Sequence, residues 1–448
     1  MKKVITYGSF DLFHDGHYNL LKRAKELGDY LIVGVTTEQY DESRGKLNVV
    51  DSLMDRIEHV RRTGFADEII IEDHKGQKVE DILKYHVEIF TVGSDWIGTF
   101  DFLKEYCEVV YLDRTKDISS TSLRARNFSI IRVGVIGTGR IARRFAPEAK
   151  YVSGVNVECV YHPTKENAHV YAEKFELKSY TDDLATFWTE VDAVYIASPH
   201  QTHYGYAKAA LEKKKHVLCE KPMVLNEKEA KELSRLAVES GCILFEAIKT
   251  AFCPGFAQLI NIARSGVIGA IRDVEATFTK LESPLSRELT DTVTGGSFTE
   301  LGSYALLPIV KLLGTNYQGL RFESIRADNG IDIYTKAYFN YLNGFATAKV
   351  GLGVKSEGQL VISGTKGYIL VAAPWWKTES FEVRFEDEAL NERYFVKFMG
   401  EGLRYELSDF AAAINGHTHK GLKLTLEESV MMATVMETFM LSSKKADI

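Results

Sequence analysis

Cysteine is scarce: Cys107, Cys159, Cys219, Cys242 and Cys253 are the only five in 448 residues. Their number is odd, they lie far apart, and none forms a C-x-x-C pair. That excludes a disulfide framework and a cysteine-based zinc site, and reduced thiols fit a cytoplasmic protein. No apolar run approaches the roughly 18 residues of a membrane-spanning helix. The opening, MKKVITYGSF, carries two lysines but turns polar too soon for a signal peptide. Surplus positive charge is missing too. Lys and Arg number 55 against 62 Asp and Glu, a formal net charge of −7. No general attraction to nucleic acid or to a membrane follows, and any anion site must be local. Internal repeats, low-complexity tracts and a long linker are also lacking.

What is present is an ordinary globular balance, 45% hydrophobic and 26% charged. Short apolar runs at 4–7, 30–35, 68–71, 89–92 and 109–112 read as buried strands. Amphipathic stretches at 17–27, 52–63, 78–85 and 100–106 read as the helices between them. This alternation predicts a parallel sheet covered on both faces. A second unit opens near residue 130. Its strands are expected at 131–136, 155–161, 193–197, 216–219 and 242–246, again with helices between. After residue 254 the texture changes. Strands at 274–281, 320–327, 331–340, 343–351, 357–364 and 367–371, with a turn at Asn343-Gly344, suggest an open antiparallel sheet. The tail, 402–443, is helical, with one helix starting near Thr425. The chain therefore reads as α/β: residues 1–129, a dinucleotide-binding unit at 130–250, and an α+β unit at 251–448. The short polar junction implies fixed or nearly fixed domain placement.

The strongest local motif is His14-Asp15-Gly16-His17, directly after the first strand. Two histidines three apart at a helix mouth stand where unpaired N–H groups and the helix dipole favour phosphate. Imidazoles there can donate hydrogen bonds as charge builds on a leaving phosphate, and phosphoryl-type transfer needs little else. A metal pair or a plain surface His-x-x-His is the alternative for the tetrapeptide alone. A second cluster, Arg114-Thr115-Lys116-Asp117-Ile118-Ser119-Ser120-Thr121, follows the last strand of the unit. Its hydroxyls are good helix caps, and it lies at carboxyl strand ends, where ligands sit in parallel sheets.

Together with Thr6-Tyr7-Gly8-Ser9-Phe10-Asp11 and Gly93-Ser94-Asp95-Trp96, these motifs resemble the glycerol-3-phosphate cytidylyltransferase family over about the first 125 residues. The resemblance implies a Rossmann-like HxGH nucleotidyltransferase domain. It implies that Ser9, Phe10, His14, His17, Lys46, Arg114, Thr115, Ile118, Ser119, Ser120 and Thr121 contact CTP, with Asp95 and Trp96 shaping the nucleotide pocket. It places Arg44 and Lys78 on the acceptor's phosphate, with Mg²⁺ accompanying the triphosphate. Arg44 stands where a lysine is expected. Arg56 is either a further phosphate contact or a helix-surface charge. Transfer of AMP instead of CMP is the alternative reading of this unit.

In the second unit, Gly137-Thr138-Gly139-Arg140-Ile141-Ala142 follows a strand and opens a helix, as in a dinucleotide fingerprint. Ser198-Pro199-His200-Gln201-Thr202-His203 and Glu220-Lys221-Pro222-Met223 each end a strand. Jointly these resemble the glucose–fructose oxidoreductase / inositol dehydrogenase family over about residues 130–445. The resemblance implies that Gly137, Thr138, Gly139, Arg140, Ile141, Ser198, Pro199, His203, Glu220 and Lys221 hold the cofactor. Tyr304 takes the acid/base position and Lys221 hydrogen-bonds the substrate oxygen. Both have high ordinary pKa values, so their proximity is expected to shift one of them. Glu300 stands where an Asp is usual. No acid follows the glycines at the distance that would bind the ribose of NAD. His162, Thr164 and Lys165 stand there instead and favour NADP, with NAD as the alternative. The expected partners are small molecules only: CTP, a polyol phosphate, and a small carbonyl compound or polyol. The antiparallel sheet of such oxidoreductases often forms subunit contacts, so a homo-oligomer is expected. Both halves suit one pathway, in which a reductase supplies the polyol that is then charged as a CDP-polyol such as CDP-glycerol. Such compounds commonly feed capsule or teichoic acid polymers. The alternative is a C-terminal half that binds nucleotide without turnover.

Overall fold

The computed structural model describes residues 1–44, 46, 49, 51–113, 130–416 and 423–445. They fall into two compact units: Met1–Arg132 with Pro147–Asn156 and Ala172–Ser179, and Val133–Ala146 with Val157–Tyr171 and Tyr180–Ile448.

The first sheet is built from β1 (Lys3–Gly8), β2 (Tyr30–Thr36), β3 (Glu68–Glu72), β4 (Ile89–Gly93) and β5 (Glu108–Leu112), ordered β3-β2-β1-β4-β5 with every neighbour parallel. Leu21, Ala24, Ile57 and Val60 cover one face, and Ile82, Val87, Phe90 and Leu103 pack in the core on the other. Burial on both faces explains why these strands read as continuous apolar runs. The strand order reverses direction between β1 and β4, which opens a crevice at their carboxyl ends. Gly34 on β2 is required by packing, since a Cβ there would stand 2.2 Å from the Tyr7 ring. One expected helix is not α-helical. Asp101–Glu105 is a short 3₁₀ turn, the form short connectors adopt.

The second sheet joins β6 (Ile131–Ile136), β7 (Val155–Tyr161), β8 (Ser179–Thr181), β9 (Ala193–Ile196), β10 (His216–Glu220) and β11 (Leu244–Ala247) in the order β11-β10-β9-β6-β7-β8. This is the doubly wound dinucleotide-binding order, with its switch point between β6 and β9. The three-residue β8 escaped sequence reading because it is too short to show a period.

The third sheet is mixed rather than wholly antiparallel. It comprises β12 (Ile271–Thr279), β13 (Gly319–Arg326), β14 (Asp332–Tyr341), β15 (Gly344–Gly351), β16 (Leu360–Gly364), β17 (Tyr368–Val371), β18 (Ser380–Arg384) and β19 (Glu392–Phe395), ordered β13-β14-β15-β12-β16-β17-β18-β19. β12 and β15 pair in parallel, because helix Ser297–Leu313 carries the chain back across one face. The β14–β15 hairpin turns at Leu342-Asn343, with Tyr341 opposite Gly344. β18 and β19 extend the sheet beyond the strands expected from sequence. Among the described residues no helix is long and apolar enough to cross a membrane.

Candidate active sites

In the first unit, the loop leaving β1 turns at Phe10 and Leu12, both at positive φ, and delivers His14 to the N-cap of helix Asp15–Lys25. The His14 ring Nδ1 accepts the Gly16 N–H at 3.0 Å, and the His17 Nδ1 accepts the His14 N–H at 3.4 Å. This is a capping box made from two imidazoles. The rings stack with centroids 3.9 Å apart. An accepting Nδ1 sets the tautomer, so the proton of each neutral ring sits on Nε2. Burial, then His14 and Lys46, hold the His17 pKa well below its usual value. His17 therefore stays neutral, a hydrogen-bond donor rather than a cation.

Lys46 is bound to Ser9 Oγ, and burial lowers its pKa. Phe10 turns inward. Its side chain is buried edge-on to His17 with centroids 5.5 Å apart, so it supports the imidazole from the core. Arg56 settles its two alternatives by being neither. It is fully buried, donates from Nη1 to the Ser9 carbonyl at 2.9 Å and the Thr36 carbonyl at 2.7 Å, and meets Glu38 at 3.1 Å. It ties the carboxyl ends of β1 and β2 together. Arg44 and Lys78 are brought together, as expected for a shared anion, but each already has a carboxylate. Arg44 binds Asp41 at 2.6 Å and approaches Glu72 at 3.9 Å, while Lys78 binds Glu72. Asp95 and Trp96 lie in a short turn at the carboxyl end of β4, next to β1. Arg114, Thr115, Ile118, Ser119, Ser120 and Thr121 lie outside the described residues.

In the second unit, Gly137 has φ +103°, and a Cβ there would meet the Ala197 carbonyl at 2.6 Å. Glycine alone fits this turn against the end of β9. Around Gly139 there is open space where a Cβ would point, and helix Arg140–Ala149 begins beside it. Arg140 is bound instead to Glu288 and Glu282, at 3.4 and 3.7 Å. At the end of β7, His162 Nδ1 accepts the Thr164 N–H at 2.9 Å, and Thr164 and Lys165 are exposed.

The reactive cluster centres on Glu300 in helix Ser297–Leu313. Lys221 Nζ donates to the Glu300 carbonyl at 2.8 Å and to its Oε1 at 3.1 Å. His200 Nε2 stands 3.5 Å from Oε2. The extra methylene of Glu over Asp lets one carboxylate reach both. Burial and the Lys221 charge push the His200 pKa down to about 3. Burial works against ionisation of Glu300, but Lys221 and His200 outweigh it and keep its pKa low. Lys221 also lies 5.8 Å from the Tyr304 ring centroid. The Tyr304 pKa is raised well above the ordinary value, by burial and then Glu220, Glu406 and Glu300. Burial and these carboxylates, not the proximity of Lys221, move Tyr304, and its hydroxyl keeps its proton.

Two expected cofactor residues act at one remove. His203 is buried, its Nδ1 2.9 Å from the Pro222 carbonyl and its Nε2 2.9 Å from the Ser198 carbonyl. It clamps the two strand-end loops together. Glu220 turns into the core to accept from Tyr195 at 2.5 Å. The sequence reading missed His200, although its motif was in view, because two histidines shared the motif and spacing could not rank them. It also passed over Glu246, whose pKa burial raises to about 7. A carboxyl raised in the folded state stabilises the fold fully below its unfolded pKa and loses that contribution as pH rises through 7. Glu246→Gln is therefore expected to lose less stability than the parent between pH 5 and 8, by about 2–3 kcal/mol. Urea melts at the two pH values check this, and equal losses would refute it.

Comparison with known proteins matches both halves. Residues 5–126 match the cytidylyltransferase-like family. Glycerol-3-phosphate cytidylyltransferase of Bacillus spizizenii is 50% identical over 124 residues, covering 28% of this chain and 95% of that protein. Through this segment the chain belongs to the glycerol-3-phosphate cytidylyltransferase family. The Staphylococcus aureus cytidylyltransferase is 45% identical to this domain over 126 residues, covering 28% of this chain and 93% of that protein. Residues 131–248 match the oxidoreductase family with an NAD-binding Rossmann fold. A scyllo-inositol 2-dehydrogenase (NADP(+)) of Bacillus subtilis is 28% identical over 319 residues, 69% of this chain and 95% of that protein. The fold of this region matches the crystal structure of a 3-ketoreductase from Actinomadura kijaniata. The TM-score is 0.60 at 23% identity, over 69% of this chain and 96% of that one. The chain thus joins a cytidylyltransferase domain to an oxidoreductase domain.

Proposed function

We propose that the chain is a bifunctional enzyme that makes a CDP-polyol from a polyol phosphate, glycerol phosphate being the first candidate, and interconverts a small carbonyl compound with its alcohol. The observation that supports this reading is that the candidate side chains of each half lie just past the carboxyl ends of parallel strands: His14 and His17 after β1, His200 after β9 and Lys221 after β10.

In the transferase, an acceptor phosphate oxygen attacks the α-phosphorus of CTP, and the bond to the β-phosphate breaks to release pyrophosphate. His14 and the neutral His17 donate Nε2–H bonds to the triphosphate as charge moves onto the leaving group. Lys46 adds a fixed cation beside Ser9. Mg²⁺ travels with the phosphates of CTP in this reading. Among the described residues no group of three His, Cys, Asp or Glu could hold a metal ion.

In the oxidoreductase, the turn at Gly137 and the space around Gly139 suit a dinucleotide pyrophosphate. When bound, the nicotinamide supplies or accepts a hydride. Lys221 donates to the substrate oxygen, Glu300 holds Lys221 in place, and the protonated Tyr304 hydroxyl is the proton source for an alkoxide. His162, Thr164 and Lys165, which follow the end of β7, favour NADP. One charge-assisted hydrogen bond to the 2′-phosphate corresponds to a preference of roughly tenfold or more. A kcat/KM comparison is expected to favour NADPH by that margin, and a lead for NADH would reverse the assignment.

The two activities are coupled in this proposal, with the reductase supplying the polyol unit of the transferase acceptor. Incubation with CTP, Mg²⁺, NADPH and a panel of carbonyl compounds and their phosphates is expected to release pyrophosphate only where the reduced product is an acceptor. Release that is indifferent to NADPH across the panel would separate the two activities.

A further inference from the structure

Asp41 and Glu72, just beyond β2 and at the end of β3, are 0% and 1% exposed. Each spends one oxygen on a cation: Asp41 Oδ1 accepts from Arg44 Nη2 at 2.6 Å, and Glu72 Oε1 accepts from Lys78. The second oxygens, Asp41 Oδ2 and Glu72 Oε2, are buried and take no hydrogen bond. Cations stand off from them at 3.9 Å, Arg56 from the first and Arg44 from the second. Arg44 Nε is a buried N–H without an acceptor in the same cluster. Buried polar atoms left in this state are costly and uncommon in native folds. Two unmet acceptors beside an unmet donor suit a group that both donates and accepts, and a hydroxyl is such a group.

We propose that Asp41 and Glu72 form the hydroxyl-recognising part of the acceptor site, so that the transferase selects phosphate esters carrying free hydroxyls and rejects those without them. This rests on the reading of the N-terminal domain as a transferase to a phosphate ester. Arg44, whose side chain is 37% exposed, and Lys78 take the ester's phosphate, while the carboxylates accept from its hydroxyls.

The test uses the full chain with CTP and Mg²⁺ and two acceptors of equal carbon length, glycerol 3-phosphate and 1-propyl phosphate. A site built to bond hydroxyls is expected to favour glycerol 3-phosphate by at least about 100-fold in kcat/KM. In Glu72→Gln and Asp41→Asn an NH₂ that cannot accept replaces one oxygen. The preference is then expected to shrink below about tenfold, chiefly through a higher KM for glycerol 3-phosphate. Glu72→Asp is expected to recover part of it, and CTP binding by calorimetry is expected to persist in all three. Variants that lower both esters alike, with the preference intact, would overturn the assignment by showing that the carboxylates only organise the cations. So would a parent enzyme that uses both esters within about threefold, a comparison that requires no variant. Failure of every phosphate ester to yield a CDP product would overturn the transferase reading along with it, whereas equal use of the two esters overturns this assignment alone.

Discussion

Replacing His17 by Ala is expected to lower kcat for pyrophosphate release by about 10²–10³-fold, the usual loss when one donor to developing charge is removed, while NADPH oxidation proceeds at the parent rate. The ring does two things at once. Its Nδ1 accepts the His14 N–H and its stacked face fixes the neighbouring imidazole, so His14 is disturbed as well. Loss of the cap adds a stability cost of about 1 kcal/mol. Because burial holds the His17 pKa well below its usual value, the ring keeps one protonation state through neutral pH. The rate of CMP transfer is therefore expected to show no acid limb near pH 6.5, where a solvent-exposed histidine would titrate. A limb centred there, absent from His17→Ala, would show that the ring works as a titrating acid and would contradict the assignment.

Lys221→Met is expected to cut the redox rate by about 10²–10³-fold, the usual loss when one donor to developing charge on the substrate oxygen is removed, and to leave CMP transfer untouched. The methionine keeps most of the stem volume, so the loss reports the ammonium. Glu300 then loses the charge that does most to keep its pKa low, and its pKa is expected to rise. Lys221→Arg is not a rescue, because a planar guanidinium cannot occupy the position of a compact ammonium that meets both the Glu300 carbonyl and its carboxylate. Stopped-flow absorbance of NADPH under single turnover separates the chemical step from cofactor binding. A variant that binds NADPH normally and still turns over at the parent rate would remove Lys221 from the mechanism.

The parallel sheets were legible because burial on both faces writes each strand as an unbroken apolar run, and the glycine and histidine motifs sit at strand ends where backbone geometry demands them. The capping role of His14 and His17 followed less directly. Histidine is an uncommon cap, and only the structure shows each Nδ1 turned onto a backbone N–H. Side chains acting through others were beyond the reach of spacing. Arg56 looked like a helix-surface or phosphate-binding arginine, yet it is wholly buried against the carbonyls of Ser9 and Thr36. His203 looked like a cofactor contact and proves to be a clamp. Glu72 carried a signal that went unused, a carboxylate closing a strand with an apolar centre, EIIIE. The parallel pairing of β12 with β15 was invisible for another reason. Period-two patterning marks a strand without naming its neighbour or direction.

That pairing bears on how the protein is born. β12 leaves the ribosome early, but its parallel neighbour follows only after helix Ser297–Leu313 and two further strands have been synthesised: Asp273 faces Phe345, and Thr279 faces Gly351. Until then both edges of β12 offer open rows of amides and carbonyls to any nascent chain nearby, because its other neighbour, β16, is made later still. The dinucleotide-binding sheet, complete by Ala247, can close long before this. Truncation of the message within the later segment should thus yield a chain with a finished cofactor fold and an adhesive trailing edge, the kind of product that chaperones hold.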